Sequence, residues 1–315
     1  MTWVQLRDLN GDGLGDLVRV GVNQVEYWLN QGNGTFGTAE MIVDTPYRDP
    51  VNTTVEFADM NGNGSTDIVW IDVSGDPSEA WQYLDIMGSN RPGLLHETAN
   101  GLGKVLRAEY SSSGEMSARA RRDGDPWTVE LTVPTQVLSR ITESDSLGPD
   151  VVSELVYRDG HYNAPEREFR GFGQTQKREL GDEHTPTLTT TLEYDVGWLE
   201  EARKGLVLIR RTENEAGKVF QIDRATYEVV HLATGTDGRT VRAARRRELE
   251  VSVVEGSSEP RTLLTEYEWD DWGNEITRYE WGETASGDPL VGNDERITMT
   301  DYAVNLEDWI LDRVA

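Results

Sequence analysis

The chain has 315 residues, which is longer than one domain of ordinary size, so we expect one large or two moderate domains. It has no cysteine, and this excludes disulfides, thiolate zinc sites and cysteine nucleophiles. With 57 acidic residues against 30 basic ones, the net charge of −27 disfavours nucleic acid and anionic membrane surfaces as partners. The acidity serves solubility, or part of it gathers divalent cations.

A repeat organises the first part of the chain. WVQLRDLNGDGLGDLVRV (3–20) returns as TVEFADMNGNGSTDIVWI (54–71), with Asp8 aligned to Asp59. In each copy an alternating apolar segment precedes a polar loop and a β-branched run follows it, which predicts strand, loop and strand. A period near 50 residues is typical of β-propellers. We therefore predict propeller-like blades over residues 1–95, fewer than the about 4 to 8 blades of a closed propeller.

The polar loop of each copy has the spacing of a calcium site. Calcium binds about six to eight oxygens from carboxylates, amides and main-chain carbonyls. The predicted ligands are Asp8, Asn10, Asp12, the Leu14 carbonyl and Asp16 in the first loop, and Asp59, Asn61, Asn63, the Ser65 carbonyl and Asp67 in the second.

Neither loop is an EF-hand, because the position of the EF-hand glutamate holds Arg19 in one copy and Trp70 in the other. Three carboxylates in the first loop against two in the second predict weaker binding at the second. The alternative is that Asx turns alone stabilise both hairpins and that metal is absent or weakly held.

Residues 96–315 are predicted to form antiparallel strands, so the expected fold class is all-β. The predicted strand segments are separated by Gly, Asn, Asp and Pro turns: 104–112, 127–145, 153–160, 166–180, 185–195, 206–232, 248–256, 262–283 and 296–305. LVLIRRT and KVFQIDRAT form a hairpin around residues 213–217. One helix is expected, at the C-terminus around Leu306 to Val314.

No catalytic motif stands out in the sequence. The four histidines lack metal-ligand spacing, and there is no GxSxG elbow, Walker-type loop or GxGxxG after a strand. Glu248 and Glu250 resemble the spaced glutamates of ADP-ribosyltransferases, but an ordinary strand also exposes two such residues on one face. A carboxylate-based glycosidase is left open only because 57 acids are available. We predict that the chain is not an enzyme.

Four stretches resemble the middle region of the B component of bacterial insecticidal toxin complexes, within the Rhs/YD-repeat superfamily. The first two are DLNGDGLGDLV with YWLNQGNGTFG, similar to an FG-GAP (VCBS-type) propeller repeat, and DMNGNGSTDIVWI with GLLHETANGLGKVLRAEYSSS. The others are YRDGHYNAPEREFRGFGQTQ (157–176), of which EREFRGFG is the most specific part, and YEWDDWGNEITR (267–278), similar to a degenerate YD repeat. In EREFRGFG, Gly171 and Gly173 are expected to permit a bulge or a bend.

The resemblance implies incomplete FG-GAP blades over 1–95, followed over 96–315 by an antiparallel sheet of the Rhs/YD-repeat shell type. It also implies a non-enzymatic, secreted protein whose partners are the pore-forming A component and the effector-bearing C component, with a propeller gate and a shell around a toxic effector. The sequence departs from a complete B component in its few blades and in lacking a long run of YD repeats. No signal peptide and no membrane span are visible. The alternative, a calcium-dependent FG-GAP adhesion protein, leaves EREFRGFG unexplained.

Overall fold

The computed structural model describes residues 3–46, 51–72, 80–88, 92–255, 259–284 and 294–315. The chain divides into two compact units, one of residues 1–127 and 131–150 and the other of residues 128–130 and 151–315. Strands make up 56% of the chain and helix 5%, which confirms the predicted all-β class. The predicted boundary between residues 95 and 96 lies within the first unit.

The two repeats fold as meandering antiparallel sheets, as in the blades of a propeller. The first sheet contains β1 (Trp3–Arg7), β2 (Asp16–Val20), β3 (Gln24–Trp28) and β4 (Glu40–Val43), in that order. The second contains β5 (Thr53–Ala58), β6 (Asp67–Asp72) and β7 (Trp81–Leu84). Arg7 pairs with Asp16 as Ala58 pairs with Asp67, so each Asp-rich loop closes the equivalent hairpin.

A small apolar core joins the two blades within the first unit. Its buried members are Leu9, Val18, Val20, Val25, Val55, Ile68 and Trp70. Leu9 lies in the polar loop yet is fully buried. Its carbonyl accepts a hydrogen bond from the backbone N–H of Thr66 at 3.2 Å, and the Thr66 hydroxyl donates to the Asp8 carbonyl at 2.6 Å. The first loop is therefore fastened to the second blade.

The rest of the first unit contains β8 (Glu97–Ala99), β9 (Val105–Ser112), helix α1 (Ser113–Arg122) and β10 (Gln136–Ser144). The hydroxyl of Ser112 accepts the Glu115 N–H at 3.0 Å and caps the helix, and three arginines in the last turn complement the helix dipole. The sequence prediction missed this helix, because its mostly polar residues carry no apolar stripe.

The second unit contains strands that pair antiparallel with their successors in the chain. They are β11 (Val151–Asn163), β12 (Glu168–Glu179), β13 (Leu188–Asp195), β14 (Leu206–Asn214), β15 (Val219–Thr234), β16 (Thr240–Val253), β17 (Arg261–Trp269), β18 (Glu275–Thr284) and β19 (Arg296–Met299). The predicted hairpin around residues 213–217 is confirmed, with Thr212 paired to Gln221.

The predicted C-terminal helix around Leu306 to Val314 is wrong. The segment is a hairpin of β20 (Tyr302–Asn305) and β21 (Ile310–Val314). Oδ1 of Asn305 accepts the N–H groups of Glu307 at 3.0 Å and Asp308 at 3.1 Å. This Asx turn competes with a helix start and reverses the chain instead.

Three hairpins turn by one shared arrangement. Asn100, Asn214 and Asp270 each begin a turn in which Oδ1 accepts the N–H groups two and four residues ahead, at 2.8 to 3.1 Å. In each turn the glycine three residues ahead has a positive φ, a conformation that side chains with a Cβ rarely adopt. The turn of the YD-like stretch at Asp270 is therefore one of three alike.

Candidate functional site

The first Asp-rich loop is organised around the Asp8 carboxylate. Its Oδ1 accepts the N–H groups of Gly11 at 2.7 Å and Asp12 at 3.1 Å, and its Oδ2 accepts that of Gly13 at 2.9 Å. Oδ1 of Asn10 accepts the Asp12 N–H at 3.0 Å. The structure thus brings these predicted ligands into one turn and satisfies them from the backbone.

The last carboxylate of the first loop, that of Asp16, is fully buried and fully hydrogen bonded. Its Oδ2 accepts the Leu9 N–H and its Oδ1 accepts the Asn30 N–H, both at 2.8 Å. Asp12, in contrast, is exposed, and its Oδ1 accepts the N–H of the exposed Leu14 at 2.8 Å. Asp16 therefore ties the loop to Asn30, just beyond the end of β3.

The second loop repeats the first carboxylate arrangement. Oδ1 of Asp59 accepts the Gly62 N–H at 2.7 Å, and Oδ2 accepts the Gly64 N–H at 2.8 Å, as Asp8 does in the first loop. The repeat seen in the sequence is therefore a repeat of hydrogen bonds. The second loop differs from the first at two carboxylates, those of Asp67 and Asp85.

The Asp67 carboxylate is fully buried but only half satisfied. Its Oδ2 accepts the Met60 N–H at 2.7 Å, while its Oδ1 has no hydrogen-bond partner among the described residues. Burial, with a smaller contribution from the charges of Asp85 and Asp59, raises the pKa of Asp67 to about 6, and the backbone N–H groups of Met60 and Asn61 partly oppose this shift. The buried Asp67 carboxylate is therefore only partly stabilised by hydrogen bonds, whereas the buried Asp16 carboxylate of the first loop is fully hydrogen bonded.

Asp85, which sequence reasoning missed, completes the second loop from beyond β7. Its Oδ2 accepts the side-chain N–H groups of Asn61 at 2.8 Å and Asn63 at 3.0 Å, and its Oδ1 accepts the Gly88 N–H at 2.8 Å. Oδ1 of Asn63 accepts from both the N–H and the hydroxyl of Ser65, at 2.8 and 2.7 Å. The available signal was the end of the aromatic strand, where YWLN of the first copy has become QYLD.

The EREFRGFG signature forms a second cluster, centred on Arg170, within the second unit. The Arg170 side chain is only 8% exposed, and its Nη1 donates to the Gly197 carbonyl at 2.5 Å. Three glutamates lie around its guanidinium at 3.6 to 3.9 Å: Glu166, Glu168 and Glu201. Lys204 Nζ contacts Glu168 at 2.7 Å, and this lysine, with Arg170, lowers the pKa of Glu168.

Oxygens of these three glutamates lie within 4.8 Å of one another, a spacing that a metal ion could bridge. Two protein cations, Arg170 and Lys204, already pair with these glutamates, however, so we interpret the arrangement as an ion-pair network and not as a metal site. The backbone explains the signature. His161 pairs with Gly171 and Tyr162 with Phe169, so Arg170 is the extra residue of a β-bulge, and the predicted bulge is confirmed. Gly171, at φ 98°, permits it.

A cavity of about 310 Å³ lies beside Arg170. Apolar and aromatic side chains form most of its wall, among them Pro165, Val196 and Trp198. The His161 and Trp198 rings meet edge to face with centroids 5.8 Å apart, and burial lowers the pKa of His161. The His161 ring therefore packs against Trp198 as part of this wall.

Solved toxin-complex structures share this fold. The crystal structures of TcdB2–TccC3 and TcdB2–TccC3–Cdc42 each match 99% of the chain with a TM-score of 0.82 and 18% identity. A mutant Tc holotoxin pore of Photorhabdus luminescens matches 98% with a TM-score of 0.80 and 18% identity. The chain spans only 18 to 19% of the length of these proteins. Its fold is that of a segment of a toxin-complex B component.

The sequence places the chain more narrowly. Residues 30–202, more than half of the chain, match the family described as the insecticide toxin TcdB middle/N-terminal region. The chain belongs to this family, as its resemblance to toxin-complex B components predicts. No curated protein matches the chain significantly in sequence. In the part of the chain that the structure describes, every helix is too short or too polar to cross a bilayer.

Proposed function

We propose that this chain is a non-enzymatic wall and gate segment of a toxin-complex B protein that acts outside the cell that makes it. The first unit would contribute blades to a propeller that docks on the pore-forming component. The second would contribute to the Rhs-type shell around the effector carried by the C component. The observation that carries this proposal is the match of nearly the whole chain to TcdB2–TccC3.

The sheet of the second unit has the chemistry expected of such a wall. Ion pairs cross between neighbouring strands, for example Arg178 to Glu154 and Arg224 to Glu250, both at 3.0 Å. Most of its side chains are half buried on both faces, so among the described residues it is not one side of a thick apolar core. Such a sheet can separate two wet compartments.

A chimera tests this proposal directly. The matching segment of TcdB2 is replaced by this chain, and the chimera is expressed with TccC3. We expect it to assemble and to protect the TccC3 effector region from added protease, whereas TcdB2 lacking the segment leaves that region open to digestion. A folded chimera that binds TccC3 but leaves the effector as sensitive as free effector would refute the wall role.

We further propose that the two Asp-rich loops bind calcium. The same oxygen spacing occurs twice in the same strand context. Among the described residues the buried Asp67 Oδ1 has no hydrogen-bond partner, and a cation beside it would supply the missing interaction. The residues present fit a hard cation, since every side chain in the set offers oxygen.

Thermal unfolding with excess calcium and then with a chelator tests calcium binding, because a ligand that binds only the folded state raises Tm. We expect a higher Tm with calcium, and a smaller rise in Asp12→Ala, which loses one carboxylate of the first loop. Equal Tm values in calcium and chelator would leave the loops as Asx turns only.

A further inference from the structure

The second loop is surrounded by more negative charge than its own sequence contains. The loop supplies Asp59 and Asp67, and Asp85 adds a third carboxylate from beyond β7. The charges of Asp85 and Asp59 both raise the pKa of Asp67, as one expects of acids that share a small space. The first loop has three carboxylates of its own, so the charge count no longer favours it.

The two loops differ in the last carboxylate. Both oxygens of Asp16 accept backbone N–H groups, whereas Asp67 Oδ1 accepts none among the described residues. Both side chains are fully buried. A buried carboxylate oxygen without a partner costs free energy, and a cation beside it would recover that cost. A bound cation would therefore stabilise the buried carboxylate of the second loop, whereas the equivalent carboxylate of the first loop is already stabilised by hydrogen bonds.

The two loops also differ in how their amides are held. Asp85 Oδ2 takes the side-chain N–H groups of both Asn61 and Asn63, which leaves the amide oxygens on the opposite side of each group. In the first loop the Asn10 amide donates to Asp12 Oδ2, itself a predicted ligand, at 3.0 Å. Residues that orient ligands from outside the site commonly strengthen metal binding.

Burial adds to this difference. Asn63 and Ser65 are buried, with 8% and 2% exposure, while Asp12 and Leu14 of the first loop are exposed. A charge interaction is stronger where water is excluded.

We propose that the second loop is the tighter calcium site of the chain and that Asp85 is its positioning residue, fixing the amides of Asn61 and Asn63. This proposal rests on the calcium binding proposed above. It reverses the ranking that the two loop sequences predict. Asp85 is not assigned as a ligand, because its Oδ2 lies on the N–H side of both amides, away from the amide oxygens that are the predicted ligands.

Calorimetric titration of the full chain with calcium chloride tests the ranking. We expect two classes of site in the native chain. Asp85→Asn should weaken the tighter class by about 10 to 100-fold, as other outer residues of metal sites do, and leave the weaker class unchanged. Asp12→Asn is the matched control in the first loop, and it should weaken only the weaker class.

Unfolding in chelator separates positioning from a merely structural role. Asp85→Asn should keep or raise the Tm there, since it removes a charge close to Asp67; a lower Tm with unchanged calcium affinities would overturn the proposal. It would also be overturned if Asp12→Asn weakened the tighter class. If titration of the native chain with calcium chloride gave no heat of binding at all, calcium binding itself would be refuted. Should Asp85→Asn fail to fold, Asp67→Asn decides, because retention of the tighter class in that variant contradicts the assignment.

Discussion

The two units of the chain achieve stability in different ways. The first has a compact core of fully buried aliphatic side chains, with Leu9, Val18 and Ile68 among them. Of the described residues in the second unit, Val196 alone is a buried hydrophobic, at 7% exposure. Its long strands depend instead on backbone pairing, cross-strand ion pairs and tight turns. The first unit is stabilised through a local core, whereas the stability of the second unit is distributed along its strands.

The largest effect is expected for Leu9→Ala, which tests whether the first unit has a core of its own. Leu9 is fully buried at the centre of the first unit, so its truncation should lower the free energy of unfolding by about 2 to 5 kcal/mol. Urea unfolding of the chain provides the measurement. The matched control, Leu199→Ala in the second unit, removes a side chain that is 95% exposed and should change stability by less than about 0.5 kcal/mol. Equal effects would show that the first unit has no local core.

The next largest effect is expected at Arg170, the most buried cation of the second unit's ion pairs. Arg170→Gln leaves three glutamates facing one another and weakens the bond to the Gly197 carbonyl, so we expect a loss of about 2 to 3 kcal/mol. Arg239→Gln is the control, since that arginine is 89% exposed beside Asp237 and such surface pairs contribute at most about 1 kcal/mol. A similar small loss of stability in both variants would mean that the Arg170 network does not stabilise the second unit.

In the first unit, Asp67→Asn should act in the opposite direction. The folded-state pKa of Asp67, about 6, lies above its ordinary value of 3.8, so the folded state disfavours the charged form. The metal-free native chain should therefore lose stability as pH rises from about 4 through 6, and the variant should lose less over that window. At pH 7 in chelator we expect Asp67→Asn to gain about 1 to 2 kcal/mol. Parallel pH profiles of unfolding would contradict the burial argument.

The smallest effect concerns the turns of the second unit. Gly217 has a φ of 74° and open space around the position of a Cβ, so Gly217→Ala tests backbone strain alone and should cost about 1 kcal/mol. Gly148→Ala also enters open space, at a φ that alanine tolerates, and should be neutral or slightly stabilising. The difference between the two variants in urea midpoint measures the contribution of one turn. Equal urea midpoints would show that the geometry of this turn does not contribute to the stability of the second unit.

The sequence predicted what depends on local pattern. The loop repeat and its strands follow from the alternation around Asp8 and Asp59, and the bulge at Gly171 follows from the glycines of EREFRGFG. Helix α1 could not be found in this way, because it carries no apolar stripe and begins with Ser113 and Gly114, which are weak helix formers. The role of Asp85 was also hidden, since it depends on the pairing of β6 with β7, which brings a residue more than twenty positions away to the loop.

The strand order of the second unit has a consequence for how the protein forms. From β11 to β18 each strand pairs with the strand that follows it in the chain, so each ladder joins strands that are neighbours in sequence. Pairings between near neighbours cost little loop entropy and form quickly. The sheet of the second unit can thus form hairpin by hairpin in the order of synthesis. Each finished strand is the template on which the next strand pairs as it leaves the ribosome.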